Sequence, residues 1–291
     1  MRLVLRSDGA VSVYVGSSEI GQGIETVFAQ IAADALEIPL TRIRGVFHGS
    51  TPYVKHGYGS YSSRSTVMGG SSILLAAASL KDAMRAAAAR HFSCEMGEVR
   101  VEGELARGPG GRSVALTALA AGGSIAAEGT FASNKRTYSY GAHAAHVTVD
   151  PGTGQVALLD YVAVEDVGRI INPETLHGQC LGAIVQGLGG ALLEQLSYDE
   201  HGQFLSGSLA DYLLPTASDF PQIRAVALEL RPAPHNPLGA KGAGEGGIIP
   251  VGGVIANAVA NALSSLGVEP RVLPLSPPRV WEQMQQARGA E

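Results

Sequence analysis

Apolar residues alternate in two short stretches ahead of each of two long helical patterns, and this repetition organises the chain. Arg2 to Gly16 carries Leu3 and Leu5, a Ser7-Asp8-Gly9 turn, then Val11, Val13 and Val15 at a period of two, which predicts a β-hairpin. Directly after it, Ile24, Val27, Phe28, Ile31, Ala32, Ala35 and Leu36 recur at spacings of three and four, predicting a helix that ends before Pro39. The same order returns from His143. His146 to Val149, the turn Asp150 to Gly154 and Val156 to Val164 predict a second hairpin. A helix from Glu174 to Leu196 follows, with Asn172 as N-cap and Pro173 at its first position.

Elsewhere the pattern predicts a short strand around Ile43 to His48 and an alanine-rich helix from about Val67 to His91. Residues 97–129 read as a short connecting unit with no chemistry. A strand at Ile223 to Leu230, a small-residue helix from Ile248 to Leu266 and a short helix containing Trp281 complete the chain. The predicted fold class is α+β, with two related subdomains in which β-hairpins feed glycine-rich helix N-termini. Its halves are 1–140 and 141–291.

Composition narrows the function. The 291 residues suffice for a sizeable core, and 38 glycines with 5% aromatics favour close approach of backbones over bulky packing. A net charge of −5, without Lys/Arg clusters interleaved with aromatics, excludes nucleic acid as an expected partner. Cys94 and Cys180 stand far apart without metal-ligand spacing, so no iron–sulfur or zinc site and no metal ligand is assigned to this chain. No apolar run is long enough for a membrane span, and the N-terminal run is too short for a signal peptide, so a cytoplasmic location is expected.

The chemistry lies at the helix starts. Ser17 to Gly23, Gly57 to Thr66, Glu165 to Pro173 and Gly239 to Pro250 are each glycine-rich or hydroxyl-rich and each precede a helix. Backbone N–H groups at such a start suit an anion, and Arg64 among hydroxyls suits a pyrophosphate. Tight turns and ordinary N-caps explain the same residues. Glu245, among five glycines, is either a structural cap or a general base, and Lys241 either a phosphate partner or a solvated end. Neither a P-loop nor a Gly-x-Gly-x-x-Gly fingerprint occurs, which weighs against an ordinary nucleotide-binding enzyme. His177 near Cys180 reads as packing.

Five stretches carry a family resemblance: Gly-Ser-Ser-Glu-Ile-Gly-Gln-Gly (16–23), Gly-Ser-Tyr-Ser-Ser-Arg-Ser-Thr (59–66), Asp-Val-Gly-Arg-Ile-Ile-Asn-Pro (166–173), Asp-Tyr-Leu-Leu-Pro-Thr (211–216) and Gly-Ala-Lys-Gly-Ala-Gly-Glu-Gly (239–246). In this order they resemble the molybdenum-binding subunit of the xanthine dehydrogenase and aldehyde oxidase family, especially the bacterial branch with the carbon monoxide dehydrogenase large chains. The resemblance implies a molybdenum cofactor-binding domain holding molybdopterin cytosine dinucleotide. Ser18, Glu19, Ile20, Gly21, Gln22 and Gly23, with Ser62, Ser63, Arg64, Ser65 and Thr66, would hold the dinucleotide and phosphates. Gln179 would contact the pterin side, and Lys241, Gly242 and Gly244 would also meet the cofactor.

Glu245 would be the catalytic base, desolvated by the surrounding glycine and isoleucine. The implied reaction hydroxylates an electron-poor carbon of a small substrate, an N-heterocycle or an aldehyde, with water-derived oxygen. Electrons would pass to [2Fe-2S] and FAD on partner subunits. Family members carry a large preceding region, so a second molybdenum-subunit chain is expected to supply it. A non-catalytic cofactor-binding or scaffold remnant is the alternative.

Overall fold

The computed structural model describes residues 1–57 and 59–289. Tyr58, within the hydroxyl-rich stretch, and Ala290 and Glu291, at the end of the second predicted half, lie outside them. Two compact units are present. One comprises Met1–Tyr138, Gly168–Thr175 and Arg231–Gly242, and the other Ser139–Val167, Leu176–Leu230 and Ala243–Glu291.

In the first unit, β1 (Arg2–Leu5) and β2 (Val11–Tyr14) form the expected antiparallel hairpin, which leads into α1 (Ile24–Leu36). Strand β3 (Ile43–Phe47) lies parallel to β2. A π-helical turn at Ser65–Gly70 opens into α2 (Ser71–Phe92). Then β4 (Arg100–Glu102), β5 (Leu105–Arg107) and β6 (Ser113–Ala115) make a small meander, followed by α3 (Leu116–Ala120) and β7 (Ile125–Glu128). β7 pairs antiparallel with β1, giving the sheet order β3-β2-β1-β7. Leu3, Val13 and Val15 of the hairpin segment, Phe28 of α1 and Ile73 and Leu80 of α2 are wholly buried in one core. Each such side chain contributes about 1.5–3 kcal/mol through burial.

The second unit repeats the plan. β8 (Tyr140–Val149) and β9 (Val156–Asp166) form a long hairpin, and a polar turn leads to α4 (Pro173–Leu192). β10 (Ile223–Leu228) lies parallel to β9, so the sheet order is β10-β9-β8. Helices α5 (Val251–Ala262) and α6 (Pro277–Arg288) complete the unit, and Tyr161, Ile184, Leu188, Ile255 and Met284 fill its core. The α+β class and the two hairpin-fed helices thus hold.

Three elements differ from expectation. Residues 97–129 are not a mere connector, because β7 closes the edge of the first sheet through a pairing distant in sequence. The long helix begins with a π turn, where Gly69 and Gly70 pack so tightly against Phe28, Ile31 and Leu238 that side chains there would overlap them. The helix expected from Ile248 starts only at Val251, after consecutive turns from Gly244 to Pro250. Pro250 has no N–H to donate and precedes the helix. Glu245 therefore stands on a turn, well before the helix start.

Candidate functional site

The first unit gathers the 16–23 and 59–66 stretches with residues 168–173 and 239–242 of two others. Gly16 lies against the His56–Gly57 backbone, where a Cβ would sit 2.6 Å from the His56 carbonyl oxygen. Gln22 donates from Nε2 to the Ser60 hydroxyl at 2.9 Å and to the Ser18 carbonyl at 2.9 Å. Thr175 packs on Gly23, and Asn172 donates to Gln30 on α1 at 3.1 Å. Asn172 also caps α4, its Oδ1 accepting from the N–H groups of Glu174 and Thr175 at 3.1 and 3.0 Å, as its position before Pro173 predicts. Gly168 meets the Gly239 carbonyl and forms an antiparallel bridge to Ala240. Gly242 closes on Ser63, leaving 2.2 Å between an added Cβ and the Ser63 carbonyl. Lys241 is buried beside it.

Glu19 has a role that its residue type alone did not reveal. Its carboxylate accepts from the N–H groups of Gly21 at 2.8 Å, Gly23 at 3.2 Å and Glu25 at 3.0 Å, filling the start of α1. Burial works to raise this carboxyl, but the Glu25, Gly21 and Gly23 amides and nearby His48 outweigh it and hold it below the usual glutamate range. The Ile20 N–H is likewise engaged by Gln22, at 2.7 Å. The Ile20, Gly21, Gly23 and Glu25 amides at this turn are thus satisfied from within.

Ser62 and Ser63 both adopt left-handed backbone, at φ 56° and 49°. Two consecutive non-glycine residues there store strain of the kind concentrated at ligand clamps. Arg64 lies over the Tyr61 ring, 4.7 Å from its centroid. Ser65 and Thr66 open the π turn.

Glu245, Gly244 and Gln179 belong to the second unit. The Glu245 carbonyl accepts from the N–H groups of Ile248 and Ile249, both at 3.3 Å, closing the turn that carries it. The side chain is exposed, and Ile249 beside it is 77% exposed. Enclosure of Glu245 by glycine and isoleucine is therefore not achieved by this turn, which stands at the surface of its unit. The next two residues are fixed from below. A Cβ on Gly246 would lie 2.3 Å from Glu165 Oε2, and one on Gly247 2.8 Å from both the Ala183 Cβ and the Cys180 carbonyl of α4.

Glu165 is part of a buried cluster that the motifs did not single out. Tyr161, Ala163 and Glu165 share one face of β9, and His143 on β8 sits opposite Ala163. The small alanine leaves room for the imidazole to bridge its neighbours, with Nδ1 2.8 Å from the Tyr161 hydroxyl and Nε2 3.1 Å from Glu165 Oε1. The His143 and Glu165 side chains are 1% and 6% exposed. The pairing that satisfies all three groups has a neutral imidazole donating from Nε2 to the Glu165 carboxylate, which only accepts, and accepting at Nδ1 from the Tyr161 hydroxyl. Burial, then the Glu165 charge, pushes the Tyr161 hydroxyl well above the tyrosine range. The same two causes push the Cys180 thiol up to about 11. The available sequence signal is a carboxylate continuing the alternation Tyr161, Ala163, Glu165 on the inward face of β9.

On α4, Gly178, Gly182 and Gly190 face open space, whereas Gly187 packs on Val251. In the 211–216 stretch the Tyr212 hydroxyl donates to Glu194 at 2.5 Å, and Leu213 and Leu214 are exposed. Among the described residues no group of three His, Cys, Asp or Glu side chains is placed to hold a metal ion, and no helix is long and apolar enough to cross a membrane.

Residues 1–221, carrying the first four motif stretches, match the family described as molybdopterin cofactor-binding domain. The chain belongs to that family. It is 36% identical to the gamma subunit of the 6-hydroxypseudooxynicotine dehydrogenase complex of Paenarthrobacter nicotinovorans, covering 97% of this chain and 37% of that protein. It is 31% identical to the xanthine dehydrogenase molybdenum-binding subunit of Escherichia coli O157:H7, covering 97% and 39%. The Cu,Mo-CO dehydrogenase crystal structure superposes with a TM-score of 0.87 at 28% identity, over 99% of this chain and 37% of that one. The resemblance to molybdenum-binding subunits of the xanthine dehydrogenase family therefore holds over nearly the whole chain. The chain spans somewhat over a third of the length of these relatives.

Proposed function

We propose that this chain is the part of a molybdenum hydroxylase that grips the dinucleotide end of the cofactor and presents the general base. The observation that carries the proposal is the convergence of 16–23, 59–66, 168–175 and 239–242 in one unit, joined by contacts that tolerate only glycine at Gly16 and Gly242. The cradle suits a hydroxylated, anionic ligand: Gly21 opens onto free space, and Ser62, Ser63, Arg64, Ser65 and Thr66 supply hydroxyl and guanidinium donors. Since Glu19 fills the amides at α1, phosphate is assigned to the 60–66 stretch, while Ser18, Ile20 and Gln22 line the neighbouring turn. The cofactor in this reading is molybdopterin cytosine dinucleotide.

When bound, that group supplies a two-electron oxidation at a carbon centre. The protein's part is to hold and orient it and to remove a proton. Glu245 is the base, Gln179 contacts the pterin side, and Lys241, Gly242 and Gly244 fix the approach to the base. The exposure of Glu245 and of the α4 glycines supports completion by a second molybdenum-subunit chain. Exposed Leu205, Leu209, Leu213 and Leu214 offer it an apolar surface. Iron–sulfur and FAD subunits take the electrons, in the cytoplasm. The substrate is a small electron-poor N-heterocycle or aldehyde.

The test is Glu245→Gln in the native assembly. Molybdenum and cytidine nucleotide content should be retained while the rate falls by roughly two to four orders of magnitude. A near-normal rate would remove Glu245 from the base role. Absence of both metal and nucleotide from the unmodified native assembly would instead leave the scaffold reading.

A further inference from the structure

The Glu245 turn rests at Gly246 and Gly247 on Glu165 of β9 and on Cys180 and Ala183 of α4. We propose that Glu165, itself held by His143, is a positioning residue that sets where the Glu245-bearing turn stands. The support begins in the core. Tyr161 is wholly buried, and its hydroxyl, 2.8 Å from His143 Nδ1, holds the ring in place. His143 Nε2 holds Glu165 Oε1, and this orients the whole carboxylate, because the two oxygens share one plane.

Glu165 Oε2 then faces the turn. It is buried, has no hydrogen-bond partner among the described residues, and lies 2.3 Å from where a Cβ on Gly246 would stand, so a side chain there must displace it. A buried acceptor left unpaired is costly, and strongly so for a carboxylate. The backbone that faces this oxygen at Gly246 is the one carrying Glu245. On the other side Gly247 is wedged against Cys180 and Ala183 of α4. The turn is thus gripped between a carboxylate and a helix, directly after the residue whose direction matters. The hydrogen-bonded chain ends at a fully buried phenol rather than at solvent, so it delivers no proton and serves geometry.

This inference rests on the assignment of Glu245 as base, but one of its readouts does not. In the native assembly, Glu165→Ala, Glu165→Gln and Gly246→Ala are compared by amide hydrogen exchange over residues 244–249, by molybdenum and nucleotide content, and by kcat and KM. Glu165→Ala and Gly246→Ala should each speed exchange in this segment about tenfold or more and lower kcat about tenfold or more. KM should stay within about twofold, with metal and nucleotide content unchanged, as expected of an interaction made in the transition state alone. Glu165→Gln, which keeps the shape and one acceptor, should recover most of both effects. Unchanged exchange in both alanine variants overturns the proposal, as does an equal fall in cofactor content, which marks general structural damage. Should Glu165→Ala not accumulate, Gly246→Ala, which presses on the same oxygen from the turn side, decides alone. Faster exchange with no change in kcat, together with an active Glu245→Gln, supports the support role and removes only the base assignment.

Discussion

Replacing Glu19 by alanine removes the acceptor of three backbone N–H groups at the start of α1. Loss of a capping side chain costs about 0.5–2 kcal/mol, and a carboxylate adds a favourable interaction with the helix dipole. The Gly21 and Glu25 amides are exposed and regain water, while the Gly23 amide is partly buried, so about 1 kcal/mol is expected. For a protein of this size that lowers the melting temperature by about 2–4 °C. The pH dependence has a definite sign. The folded carboxyl titrates below its ordinary value of 4.5, so its contribution is fully present above that value and disappears as pH falls through the lower folded value. Thermal melts of the wild type and Glu19→Ala, run from pH 7 down to about 3, should show a gap that closes only in the acidic range. Equal melting temperatures at pH 7, or a gap that widens on acidification, would refute the capping role.

Gly242→Ala forces a methyl group to within 2.2 Å of the Ser63 carbonyl and must part the two motif stretches. It should destabilise by about 2 kcal/mol or more and lower cytidine nucleotide retention in the native assembly, read by denaturant titration and nucleotide release. Cys180, buried with its thiol pushed up to about 11, should resist alkylation at pH 8 while half-buried Cys94 reacts first, as peptide mass spectrometry would resolve. Equal labelling of the two in the folded protein would contradict the packing around α4.

Local order was legible because local chemistry sets it. The Ser7-Asp8-Gly9 turn and the alternating leucines and valines define β1 and β2, and Asn172-Pro173 marks the start of α4. What escaped depends on partners distant in sequence. Nothing in Ile125–Glu128 announces that it will pair with Arg2–Leu5, since either edge of a hairpin offers the same hydrogen-bonding groups. The capping role of Glu19 is not announced by its residue type, because a carboxylate and a bound anion seek the same amides. The helix after Glu245 seemed to begin early because Ile248 and Ile249 continue its apolar pattern, although Ile249 points to solvent. His143 stayed hidden because its meaning comes from standing opposite Ala163, a register no single strand encodes.

The return of 168–175 and 231–242 to the first unit bears on how the protein is made on the ribosome. Leu238 and Ala240 complete a core whose earliest members are Met1 and Leu3, so that core stays open while more than a hundred later residues are added. At ordinary synthesis rates the delay is roughly 5–20 s. During that interval the nascent β1–β2 hairpin and the α1 and α2 faces are exposed to chaperones and to neighbouring chains. Yield in a cell should therefore depend on translation speed across 139–242 more than on codons before it.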